Sequence, residues 1–108
     1  MHYDEIVAAS DKVADANGWR PLHTPKNLTM ALSVEVAELA RLLQWRDDRG
    51  IEDLMESPQA GAVAAELADI QMYLCKLCTS LGVDLERALR DKVAANRVRF
   101  LPPASIPE

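Results

Sequence analysis

Glycine is scarce in this chain, with four among 108 residues, and no stretch alternates apolar and polar residues as a half-buried strand would. A β-rich fold is therefore disfavoured. No apolar run approaches the length needed to span a bilayer. The N-terminal MHYDEIVAAS is acidic and lacks the long apolar core of a secretory leader. The expectation is a cytoplasmic protein with no membrane partner. A basic balance is missing too: 12 Lys and Arg stand against 17 Asp and Glu, for a net charge of −5. A sequence-independent binder of nucleic-acid polymers needs a positive surface, so that class is disfavoured, while local cations could still meet one small phosphorylated ligand.

Histidine and cysteine are too few for a zinc centre. Cys75 and Cys78 have CxxC spacing, but the only histidines are His2 and His23, and a Cys/His site wants a second pair. The two cysteines fall inside a helical pattern between Leu74 and Leu81, not at a helix start where a redox thiol would be activated. They read as core thiols in a reducing compartment. A di-iron bundle would use Glu-x-x-His, and neither histidine follows a glutamate at that spacing.

What is present is helical. Apolar residues make up 49% of the chain, enough for one small domain over residues 1–100 that would gain from oligomerisation. A first helix is expected from Tyr3 to Ala16, stopped by Asn17-Gly18. The loop GWRPLHTPKN then carries Trp19, His23, Lys26 and Asn27, and Lys26 reads as a surface charge. A second helix runs from about Leu28 to Trp45, capped by Asn27 or Thr24. After an acidic connection, Ser57-Pro58 opens a third helix that Gly82 closes. That helix is apolar on more than one side, with Val63, Leu67, Ile70 and Leu74 on one face and Ala65, Ala68, Met72 and Cys75 on another. Four short helices cannot bury it alone, so a dimer or larger assembly is expected. Asp84 caps a fourth helix to about Arg99, whose inner stripe starts with Leu85, Ala88 and Leu89 and continues through Lys92 and Asn96. A proline-rich tail, residues 101–108, follows.

The chemistry sits in two acidic pairs of equal spacing: Glu35 with Glu38, and Glu66 with Asp69. Residues three apart share a helix face, so each pair aims two carboxylates one way. Glu35 also falls within the stripe of Leu28, Leu32, Leu39 and Leu42, where a carboxylate is costly unless it is paired or holds a metal. Oxygen-only ligands suit Mg²⁺, with Mn²⁺ as an alternative. A magnesium ion held by carboxylates completes its shell with water and substrate phosphates, which points to phosphoanhydride or phosphate-ester chemistry. Trp19 and Trp45, near these acids in sequence, are candidates for stacking on a base.

The strings HTPKNLTMALSVEVAELARLLQW, ELADIQMYL and KVAANRVRF closely resemble the MazG-like all-α nucleoside triphosphate pyrophosphohydrolases, and among them the dCTP pyrophosphatase branch. The resemblance covers about Trp19 to Phe100. Leu22, Val34, Gln71 and Phe100 depart from the pattern. The resemblance implies a four-helix bundle completed by oligomerisation, as a homodimer or homotetramer. It implies Mg²⁺-dependent cleavage of a deoxynucleoside triphosphate, dCTP or a modified dCTP, to monophosphate and pyrophosphate, in clearing the nucleotide pool. Carried over by position, Glu35, Glu38, Glu66 and Asp69 would be catalytic metal ligands. Trp19, His23, Asn27, Trp45 and Tyr73 would surround the nucleoside, and Lys92, Asn96 and Arg97 would lie near phosphates or base. A dUTP or broad-specificity dNTP pyrophosphatase is the nearest rival. A non-catalytic helical module that binds nucleotide or protein is the rival from another class.

Overall fold

Val63 and Cys75 are buried near opposite ends of the longest helix, and the rest of the chain is arranged around that rod. The computed structural model describes residues 3–102. Among them are five α-helices and no strand: α1 (Tyr3–Ala16), α2 (Pro25–Leu43), α3 (Asp48–Met55), α4 (Ala60–Leu81) and α5 (Leu85–Phe100). The all-α expectation holds. The tail expected at 101–108 lies outside the described residues from 103 onward.

Local chemistry sets the boundaries. Helix α2 starts at Pro25, earlier than Leu28, because Thr24 accepts a hydrogen bond from the Asn27 amide at 3.3 Å and proline is suited to the first helical position. The acidic connection folds into α3, capped by Asp47, which accepts from the Gly50 amide at 2.8 Å. Ser57-Pro58 does not open α4. Ser57 Oγ accepts from the Gln59 amide at 3.1 Å while donating to the Leu54 carbonyl, and the helix begins at Ala60. Gly82 closes α4 with φ of +70°, a left-handed conformation that glycine adopts without a Cβ penalty. Asp84 caps α5 as expected, accepting from the Arg87 amide at 3.0 Å. The loop after α1 contains a single 3₁₀ turn at Arg20–Leu22.

The main packing is α2 against α4, with α1 and α3 leaning on α4. Leu28 is buried at the start of α2, Val7 and Ala14 on α1, and Leu54 on α3. No other helix packs substantially on α5. Its Leu89, Val93, Val98 and Phe100 are exposed, as are Met30, Val34 and Val36 on α2 and Leu67 on α4. The radius of gyration, 17.7 Å, exceeds the roughly 13 Å of a compact domain this long.

Candidate functional site

The α2–α4 contact brings three of the four acids together. Glu35 from α2 and Glu66 and Asp69 from α4 each offer a carboxylate oxygen, and these lie within 4.8 Å of one another. All three side chains are half-buried. Glu66 Oε2 is buried with no hydrogen-bond donor. Without a cation, the cluster is relieved only by a proton shared between Glu35 and Glu66. That bond, together with burial and the charges of Asp69, Glu66 and Glu38, pushes the Glu35 pKa up to about 7. An orphaned oxygen beside two further carboxylates fits a hard divalent cation, whose preferred donors are carboxylate oxygens. Glu38 does not join the three. Its nearest ionic partner is Arg41, one turn along α2 at 3.8 Å.

Asp69 also lines a cavity of about 490 Å³ between α1, the loop and α4, so the acidic cluster meets the cavity directly. Tyr73 follows Asp69 by one helical turn and Lys76 by two, and both line the same wall. Trp19 and His23 supply the loop side, and Ile6, Val13 and Ala14 of α1 the apolar floor. The loop is fastened by charge. Arg20 reaches Asp11 at 3.3 Å and Asp15 at 3.4 Å. Lys76 Nζ lies 3.6 Å from Asp11 and 3.2 Å from His23 Nδ1. Burial first, then the Lys76 charge, lowers the His23 pKa from its ordinary value, with Asp11 opposing. A second hollow, about 590 Å³, lies beside Cys75, Cys78, Asp84 and Glu86. Its acidic rim repels phosphates, and burial raises the Cys78 pKa, so its thiol stays protonated, in keeping with core cysteines.

The sequence profile of the MazG-like family matches residues 30–100. The chain belongs to that family. It is 40% identical over 98 residues to dCTP pyrophosphatase 1 of Rattus norvegicus and 41% identical to that of Bos taurus. Each match takes in 90% of this chain and 58% of the relative, so the chain spans little more than half of those proteins' length. The crystal structure of a pyrophosphatase from Archaeoglobus fulgidus superposes with a TM-score of 0.84, at 32% identity, over 94% of both chains.

In this MazG-like chain the remaining candidates scatter. Asn27 lines a smaller hollow beside His23 and Tyr73, and its side-chain amide donates to the Leu22 carbonyl at 2.9 Å, bracing the loop. Trp45 is 89% exposed and lines a separate hollow with Arg41, Arg46 and Leu54. Within one chain it does not share a cavity with Trp19. Lys92 and Asn96 are exposed on α5, and Arg97 is half-buried; none lines the cavity beside the acids. Sequence reasoning passed over Asp11 and Lys76. A signal was available: Lys76 interrupts the apolar run IQMYLCKLC on the face already marked by Asp69 and Tyr73.

Proposed function

We propose that this chain is a metal-dependent nucleoside triphosphate pyrophosphohydrolase that cleaves dCTP, or a modified dCTP, to the monophosphate and pyrophosphate. The observation that carries this reading is the three-carboxylate cluster with an orphaned oxygen, opening through Asp69 onto a cavity of about 490 Å³. The name carried by the mammalian relatives supports the substrate. Glu35, Glu66 and Asp69 would hold Mg²⁺, with Glu38 beside them on α2. When bound, the ion would neutralise triphosphate charge and acidify a coordinated water. Trp19 and Tyr73 offer aromatic faces to the base across the cavity. Glu38, left outside the cluster, would be the carboxylate free to take the proton of an attacking water.

A second copy of the chain completes the enzyme in this reading. Apolar side chains of α2, α4 and α5 stand uncovered in one chain, and exposed apolar surface of this kind marks interaction sites where it is contiguous. Lys92, Asn96 and Trp45, which do not reach the cavity of their own chain, would then serve a neighbour's nucleotide. Light scattering should report a dimer or tetramer. Mixed oligomers of Glu66→Gln and Lys92→Ala chains should recover activity that neither homo-oligomer has. A monodisperse active monomer would end this part of the reading.

The deciding assay is pyrophosphate release with Mg²⁺ from the four common dNTPs, dUTP, 5-methyl-dCTP and the NTPs, with EDTA as control. Metal-dependent release that is fastest from dCTP or 5-methyl-dCTP is the expected result. Preference for another base would keep the reaction and change the substrate. Release from none would leave a nucleotide-binding module.

A further inference from the structure

Lys76 is the only buried charged side chain among the described residues, at 6% exposure, and lysine is almost never buried unless paired. Its Nζ lies 3.2 Å from His23 Nδ1 and 3.6 Å from Asp11 Oδ1. Asp11 is shared with Arg20 at the shorter distance of 3.3 Å, and Arg20 also reaches Asp15 at 3.4 Å. The loop is therefore fastened to α1 without Lys76. His23 closes the 3₁₀ turn, its amide donating to the Arg20 carbonyl at 3.0 Å. What Lys76 adds is a hold on the His23 ring, and it is the one side chain among the described residues that hydrogen-bonds that ring.

An ammonium carries donors and no acceptor, so Nδ1 must accept. The imidazole is then neutral and carries its hydrogen on Nε2. The two ring nitrogens face opposite sides, so Nε2–H is turned away from Lys76. No acceptor among the described residues meets it. Glu66 Oε2 is the only buried side-chain polar atom without a partner among those residues, so Nε2–H is open to a ligand. His23 lines both the 490 Å³ cavity and the smaller hollow beside Asn27, and Tyr73 is shared between them. The charged and titratable groups around the ring are Lys76 and Tyr73 from α4, Asp11 from α1 and Arg20 from its own turn. Burial first, then the Lys76 charge, favours the neutral ring, and Asp11 opposes it.

We propose that Lys76 is a positioning residue: by donating to Nδ1 it fixes His23 as the Nε2–H tautomer, so that the imidazole offers a neutral donor to an acceptor atom of the bound nucleoside. This rests on the reading of the cavity as the nucleoside site of a pyrophosphohydrolase. The pyrimidine O2 and the deoxyribose oxygens are acceptors of this kind. A neutral imidazole left to itself carries its hydrogen on either nitrogen. With the hydrogen on Nδ1, the outward nitrogen would meet such an oxygen lone pair to lone pair. A donor held against the inner nitrogen removes that choice, because the bond made by one ring nitrogen decides what the other presents. Lys76 touches no ligand in this arrangement and acts through the ring.

The test reads the His23 ring by ¹⁵N NMR in the full-length protein, its signals assigned by their loss in His23→Phe. At pH 8, Nδ1 should be unprotonated and Nε2 protonated. At pH 6.5, the ordinary histidine value, the ring should be less than half protonated. Adding dCMP should shift Nε2 and its hydrogen and leave the Nδ1 pattern unchanged. A hydrogen on Nδ1 in the wild type, or an Nε2 that does not respond to saturating dCMP, overturns the proposal without recourse to a variant. In Lys76→Met, whose side chain keeps the length of the lysine stem, both tautomers should appear at pH 8. With Mg²⁺ at pH 8, above the Glu35 value of about 7, its KM for dCTP should rise about tenfold with kcat within about twofold. The same substitution made in His23→Phe should raise KM no further, since the lysine acts through the ring. A lysine that only supports the fold would leave the tautomer pattern in place or add its full factor to His23→Phe, and either result overturns the proposal. If Lys76→Met does not fold by thermal melt, Asp11→Asn/Lys76→Met removes both charges and carries the same tautomer and KM comparisons. An active pyrophosphohydrolase with the other tautomer loses only the positioning residue. Pyrophosphate release from no nucleotide sinks both.

Discussion

Glu66→Gln should lower Mg²⁺-dependent pyrophosphate release at least about 10³-fold while leaving the helices intact. Glu66 owns the orphaned oxygen, and one carboxylate oxygen each of Glu35, Glu66 and Asp69 lie within 4.8 Å of one another. An amide removes one of three negative ligands, and its NH₂ can donate to the neighbours that the carboxylate repelled. The metal-free variant should therefore melt above the metal-free wild type, and Mg²⁺ should no longer raise its Tm. This combination separates loss of a ligand from loss of fold, since a misfolded variant would melt lower. Retained turnover, or a wild-type-sized Mg²⁺ shift in Tm, would remove Glu66 from the metal site and with it the basis of the proposed function.

The second large effect is on pH. In the metal-free protein the Glu35 pKa is raised from 4.5 to about 7, first by the hydrogen bond with Glu66 and then by burial and neighbouring carboxylates. A raised carboxyl pKa means that the folded state holds a proton the unfolded state has released. The stabilisation from that proton is fully present below about pH 4.5, declines across the window between the two values and is lost above about pH 7. The metal-free protein should melt lower at pH 8 than at pH 6, by about 5 °C. Magnesium competes with the same proton, so its affinity should weaken as pH falls through 7, and the rise in Tm that it produces should be larger at pH 8. Glu35→Gln should flatten the metal-free profile between these values. Scanning calorimetry with EDTA or Mg²⁺ at the two pH values checks this. A metal-free Tm that rises from pH 6 to pH 8 would contradict the shared proton.

The exposed α5 shows how far sequence pattern reaches. Leu85, Ala88, Leu89, Lys92 and Asn96 form a stripe of helical spacing, which predicts a helix with one face to cover. The helix is there, capped by Asp84 as the pattern requires. The pattern does not say what covers it, because an apolar stripe is equally satisfied by its own chain or by another. Trp45 is ambiguous in the same way: its position at a helix end is legible, and its cavity is not.

Helix identity, the stops at Gly18 and Gly82, the two acidic pairs and the family resemblance were all readable along the chain, because each depends on residues within about one turn of one another. Only the tertiary structure decided that Glu35, Glu66 and Asp69 meet while Glu38 turns to Arg41. Residues three apart point in directions some tens of degrees apart, and the rotation of α2 against α4 selects which of them converge. Only the tertiary structure placed Lys76 inside. A lysine reads as a surface residue until its long stem is enclosed, and here the enclosing partners, His23 and Asp11, lie 53 and 65 residues away in sequence. Burial is set by what the chain brings back to a residue from far along its length, and no local pattern encodes that.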